Sequence, residues 1–156
     1  MSAVISQGTA TRETGRLPSW LKGFNRVITA LQRLGFVVGS MYVLTVPGRR
    51  SGVLRSTPVS LLNVNGQRYI VAGLENADWV LNVRAAGRGM LDRGRTEEHV
   101  SLIELPVEDR APILREFPRL IPHGVPFFTR LYGVGADPEA FAALAVRCPV
   151  FRVERR

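Results

Sequence analysis

Only two residues, Asn65 and Gly66, separate the run STPVSLLNV (56–64) from the run QRYIVAGL (67–74). Asn-Gly between two apolar runs predicts a tight hairpin, because both turn positions must take positive φ and these residue types accept it. A second hairpin is expected around Arg93-Gly94, joining GRGMLDR (87–93) to EEHVSLIEL (97–105). The β-branched and aromatic run FVVGSMYVLTV (36–46) and the short VFRV (150–153) supply two more strands. DWVLNVRAAG (78–87) reads as a short helix opened by Asp78 and stopped by Gly87. PVEDRAPILREFPRL (106–120) and DPEAFAALAVR (137–147) are also helical, the second capped by Asp137, with Pro138 at its first position and a stop before Pro149. Six strands and scattered helices without regular strand-helix alternation exclude a doubly wound sheet. They predict a small antiparallel barrel with helices outside it, an α+β, mostly β, fold.

The 156 residues are 46% apolar and 22% charged, which suits one domain with a real core. That domain is expected over 17–156, behind a flexible arm at 1–16 with little periodicity. Trp20, Leu21, Phe24, Val27, Ile28, Leu31 and Leu34 recur at helical spacing with cations between them. Such a helix either packs on the barrel or lies on an anionic lipid surface, as Arg16, Lys22, Arg26 and Arg33 would permit. The single cysteine, Cys148, excludes an internal disulfide, and two histidines are too few for a typical zinc set, so no metal is expected. No leader and no long apolar segment is read, which makes the expected location cytoplasmic, with peripheral attachment at the inner face of the membrane as its extension.

Charge is distributed unevenly. Residues 1–95 hold thirteen Lys and Arg against four Asp and Glu, whereas 96–156 hold eight against nine. A one-signed field attracts polyanions: nucleic acid, an anionic membrane or a phosphorylated cofactor. The densest part is VPGRRSGVLRSTP (46–58), with three arginines, two serines, a threonine, two glycines and no carboxylate. Glycine lets a ligand approach backbone N–H groups and arginine offers a donor fork that matches phosphate, so the stretch suits a phosphate cradle as well as it suits a plain surface turn. It is not a P-loop, and no GxGxxG run occurs in the chain. Nucleic acid is not the expected partner, since no interleaved aromatics or recognised binding module accompany the charge. Nucleophile elbows and Cys/His pairs are absent as well, so any reactivity is expected from a bound cofactor.

GRRSGVLRSTP (48–58), followed by Trp79-x-x-Asn82, resembles the signature G-R-[RK]-[ST]-G-x-x-R-x-x-P of the deazaflavin-dependent nitroreductase family. This is the F420-using branch of the split β-barrel flavin and deazaflavin oxidoreductases, and the similarity runs from about Leu44 to Leu91. The resemblance implies a six-stranded split β-barrel and coenzyme F420. It implies that Arg49, Arg50, Ser51 and Arg55, with Ser56 beside them, meet the phosphate and acidic tail of the coenzyme. Thr57, Pro58, Val59, Ser60, Ala72 and Gly73 would line the ring, and Trp79, Val80, Leu81 and Asn82 would form the facing wall. The implied reaction is hydride transfer from the reduced deazaflavin to a small-molecule electron acceptor such as a quinone, nitroaromatic or activated alkene.

The chain departs from that family in two places. Only GLENAD (73–78) lies between the VA strand and the tryptophan, and Phe127 and Phe128 stand in the substrate pocket where nitroreductase-like members place tyrosines. Phenylalanine cannot donate a proton, which leaves Tyr132 and His123 as the nearby catalytic candidates for that task. The alternatives are an FMN-binding split barrel and a non-enzymatic barrel for a lipid or fatty acid.

Overall fold

A computed structural model describes residues 41–93 and 96–156. The expected arm at 1–16 and the expected helix from Trp20 to Leu34 lie outside the described residues. Six antiparallel strands, β1 (Met41–Pro47), β2 (Leu54–Val64), β3 (Gln67–Val71), β4 (Arg88–Arg93), β5 (Thr96–Glu104) and β6 (Val150–Arg155), close into a barrel in the order β1-β2-β3-β6-β5-β4. The helices are α1 (Asp78–Ala86), α2 (Ala111–Leu120), α3 (Val125–Tyr132) and α4 (Pro138–Ala142), with single 3-10 turns at Val107–Asp109 and Pro122–Gly124.

Asn65 and Gly66 make the first hairpin turn at φ of 52° and 82°, and Val64 pairs with Gln67 across it. The Asn63 side chain steadies the turn by accepting from the Gly66 N–H at 3.1 Å. Gly66 is required here because a Cβ disfavours this backbone region. Strand β3 stops at Val71, three residues before the sequence suggests, because the Ala72 N–H turns to the Pro149 carbonyl.

Two apolar clusters explain why the strands read as almost continuous hydrophobic runs. Inside the barrel, Leu44, Val59, Leu61, Ile70, Leu91, Val100 and Phe151 pack together, and Val80 and Val83 of α1 belong to the same cluster. On the outside, Leu62 of β2 and Val150 of β6 join Leu114, Phe117, Phe128 and Phe141 of the helices. Adjacent residues such as Leu61 and Leu62 are thus buried on opposite faces of one strand. Fully burying side chains of this size contributes about 1.5–3 kcal/mol each.

The expected helix at 106–120 is broken at Arg110, whose side chain is buried. Its guanidinium donates to the Leu105 carbonyl, to the Ala145 carbonyl and to Glu104 Oε2, each at 3.0 Å. Glu104 also accepts from Arg84 Nε and Nη2 at 2.8 Å each, so one carboxylate joins the end of β5, helix α1 and the start of α2. The same guanidinium bears on the shortened fourth helix. The expected span of 137–147 is α-helical only over Pro138–Ala142, and the Ala145 carbonyl beyond it is taken up by Arg110. Asp137 does cap that helix, accepting from the Ala140 N–H at 3.3 Å.

Hydrogen bonds from Arg84, with the charge of Arg110 behind them, hold the Glu104 carboxyl below the usual carboxylate range. A depressed carboxylate contributes stability above its unfolded pKa, and that contribution disappears as pH falls through the folded value. Glu104→Gln strands the buried Arg110 charge and should cost about 3 kcal/mol at neutral pH in urea unfolding. The gap between variant and wild type should shrink toward zero as the pH is lowered below the carboxylate range.

Candidate functional site

The turn between β1 and β2 is built by the GRRSG segment. Its ends are tied by hydrogen bonds from the Gly48 N–H to the Val53 carbonyl at 2.7 Å and from the Gly52 N–H to the Gly48 carbonyl at 2.9 Å. Ser51 Oγ accepts from the Val53 N–H at 3.2 Å, so this serine serves the turn itself. Buried Asn82 of α1 anchors the turn to the helix. Its Oδ1 accepts from the Arg49 backbone N–H at 3.0 Å and from Arg49 Nη1 at 2.9 Å.

A cavity of about 520 Å³ opens beside this turn, and Arg49, Arg50, Arg55, Ser56, Asp78 and Trp79 are among the residues that line it. Among the described residues, three guanidinium groups therefore share it with one carboxylate. Asp78 and Trp79 belong to the first turn of α1, whose N-terminal end adds partial positive charge to the same wall. The acid-free sequence around the arginines suggests that none is paired within the protein, and the structure corrects this: Arg49 Nη2 lies 3.4 Å from Asp78 Oδ1, and Arg55 also has an interaction within the protein. The Asp78 side chain is 90% exposed, so the pair is a weak surface contact that another anion can replace. Ser56 Oγ is joined to buried Thr45 Oγ1 at 2.8 Å.

A second cavity of about 300 Å³ adjoins the first, and Thr57 and Trp79 line both. Its character is opposite. Pro58, Val59, Ile121, Phe127 and Phe128 contribute to its wall, with Ser60 as one of its few polar members. The rings on the aromatic side touch one another: Phe127 meets Phe128 edge-on at 5.7 Å between ring centroids, and Phe128 meets Phe117 at 4.9 Å. Gly73 leaves room for this arrangement, since a Cβ there would run into the Phe127 ring.

Most of the residues singled out from sequence meet at these two cavities. Gly48, the first residue of the arginine signature, lines the cationic cavity too, and Leu74, Ile121 and Gly124, which no sequence pattern marks, line the apolar one. Five of the singled-out residues line neither cavity. Val80 and Ala72 are buried in the barrel core, and Leu81, next to Val80 on α1, lines neither cavity. Tyr132 lines neither cavity either: its hydroxyl donates to the Gly73 carbonyl, which also accepts from Cys148 Sγ at 3.9 Å. Burial raises the pKa of this phenol, and burial pushes the Cys148 thiol up to about 11, so both keep their protons at neutral pH. The Arg147 guanidinium covers the Tyr132 ring at 4.5 Å. This tyrosine fastens α3 to the end of β3. His123, in the turn before α3, approaches Ser60 Oγ through Nε2 at 3.5 Å.

Among the described residues, no three His, Cys, Asp or Glu side chains are grouped closely enough to hold a metal, and no helix is long and apolar enough to cross a membrane.

Comparison with solved structures places the chain among split barrels. It is similar to a protein described as a domain-swapped dimer, at 21% identity over 85% of this chain and 99% of that one, with a TM-score of 0.53. A FAD-binding protein from Mesorhizobium loti matches at 15% identity over 81% of this chain and 89% of that one, with a TM-score of 0.50. An F420-H2 dependent reductase, FDR-A, matches at 24% identity over 74% of this chain and 95% of that one, with a TM-score of 0.46. A search of curated protein sequences gives no match. The sequence profile of F420H(2)-dependent quinone reductases matches residues 26–124, a span that holds the arginine turn, strands β1 to β5, α1 and α2. The chain therefore belongs to the F420H(2)-dependent quinone reductase family.

Proposed function

We propose that this protein is a reductase that binds reduced coenzyme F420 across the two cavities and passes its hydride to a small electrophilic acceptor. The observation that carries this reading is the meeting of a cationic and an apolar cavity at Thr57 and Trp79. An amphipathic cofactor with an anionic tail and a flat ring needs such a pair of neighbouring environments. The donor set fits that tail, since Arg50, Arg55 and the α1 N-terminus offer charge-assisted and backbone donors around one cavity. Bound there, the coenzyme would supply two electrons as a hydride; the chain's own residues bind, orient and exclude water. Trp79 and Thr57 stand where a ring would cross from one cavity to the other. Phe127 and Phe128 would hold a quinone, nitroaromatic or activated alkene against it.

Fluorescence titration tests the reading. F420 should bind at micromolar affinity or better, and FMN, which lacks the acidic tail, much more weakly; equal or preferred FMN binding would overturn the assignment. Arg55→Ala should weaken F420 binding by about 1.5–3 kcal/mol, the range for hydrogen bonds to charged groups, with thermal stability preserved. Asp78→Asn should act in the opposite direction. Removing the one carboxylate from the cationic cavity should tighten F420 binding about two- to fivefold, as expected for loss of one exposed charge, while α1 loses about 0.5 kcal/mol of N-terminal stabilisation.

A further inference from the structure

Reduction of a neutral acceptor by hydride leaves a negative charge that a proton must quench, and most of the apolar cavity wall cannot supply one. Tyr132 is excluded by its own geometry, because its hydroxyl points to the Gly73 carbonyl and its ring lines neither cavity. Among the described residues that line the apolar cavity only Thr57 and Ser60 carry a hydroxyl, and Thr57 sits at the junction with the cationic cavity. Ser60 is deeper in the apolar one and has a partner. His123 Nε2 is 3.5 Å from its Oγ, across 63 positions of sequence. The histidine is half-buried and does not line the cavity itself, although its neighbours Ile121 and Gly124 do.

We propose that Ser60 hands the acceptor its proton and that His123 replenishes it, an assignment that rests on the reductase reading above. A serine hydroxyl alone is too weak an acid for this, and an imidazolium is strong enough at neutral pH. The balance is complete. The bound coenzyme would be oxidised by two electrons, giving up one hydrogen as hydride when its C–H bond breaks and the other as a proton to solvent; the acceptor gains that hydride, and the charge develops on an acceptor oxygen. That oxygen takes the Ser60 proton as the O–H bond breaks, and His123 Nε2–H gives its proton to Oγ. His123 ends neutral and regains a proton from solvent. A distance of 3.5 Å suits a site without acceptor, since such hydrogen bonds commonly tighten only in the reactive complex.

The test uses the full chain, F420H2 and two acceptors. A water-soluble benzoquinone must be protonated on oxygen, whereas an N-methylphenazinium cation becomes neutral by taking a hydride alone. Ser60→Ala and His123→Gln should each lower kcat with the benzoquinone about 100-fold, the usual scale for a lost general acid. At saturating F420H2 the loss with the phenazinium should be far smaller, so that the ratio of the two kcat values falls at least about tenfold in each variant. The double variant should be no slower than the slower single one, because both substitutions cut one relay, and Ser60→Thr should restore turnover. Equal losses with both acceptors, or losses that multiply in the double variant, would overturn the relay. A readout free of turnover comes from imidazole nitrogen NMR of the coenzyme-free protein, whose two histidines are His99 and His123. Ser60→Ala should move the signals of His123 and leave those of exposed His99; unmoved His123 signals also overturn the proposal. Should the wild type oxidise F420H2 with neither acceptor, the reductase reading itself fails and the relay fails with it, whatever the imidazole spectrum shows.

Discussion

A guanidinium cannot be taken out of water unless its donors are met, and much of this molecule is arranged around meeting those of Arg110. Three elements converge on it: the end of β5 through Glu104 and Leu105, the segment after α4 through Ala145, and α2, which starts beside it. Glu104 extends the network to α1 through Arg84. The cost of desolvating this charge is offset only when all of these segments are in place, so the network favours one arrangement of helices around the barrel over near alternatives.

That constraint reaches the site. Helix α1 carries Asn82, which fixes the arginine turn, and Trp79, which stands where the two cavities meet; α2 contributes Phe117 to the apolar wall. The buried ion network and the cavities share no residue, yet they share the helices that carry them. A side chain such as Asn82 can accept both the N–H and the guanidinium of Arg49 only if α1 is held at one height against the barrel.

The features legible in the sequence are those determined within a few residues. Asn65-Gly66, the Asp137 cap and the stop at Gly87, which takes φ of 68°, depend on local backbone preference and stand where the sequence puts them. The arginine turn is legible for a different reason, since its composition has few uses. What escapes is decided by distant partners. The break at Arg110 needs Glu104 and Ala145, and the pairing of Arg49 needs a carboxylate 29 positions away. Helix α3 escapes because VPFFTRLY is short, begins with a proline in its first turn, and has apolar residues on too many sides for a clear helical period. The apolar cavity is least legible of all. Its Gly73 matters for the ring space it leaves to Phe127, a neighbour far along the chain, and Gly124 for the space it leaves to Phe117 of the preceding helix.

The division of labour between chain segments also bears on how such a protein can change. The cationic cavity is made by the β1–β2 turn and α1, whereas the aromatic wall of the apolar one comes from α2, α3 and the turn between them, beyond residue 110. The barrel is closed, so neither half owes its shape to a free strand edge that substitutions would expose. Replacements at Ile121, Gly124 or Phe127 therefore alter the apolar cavity while the cationic one keeps its framework. A lineage built on this barrel can reshape one cavity by drift in one short helical segment, with no accompanying change in the other.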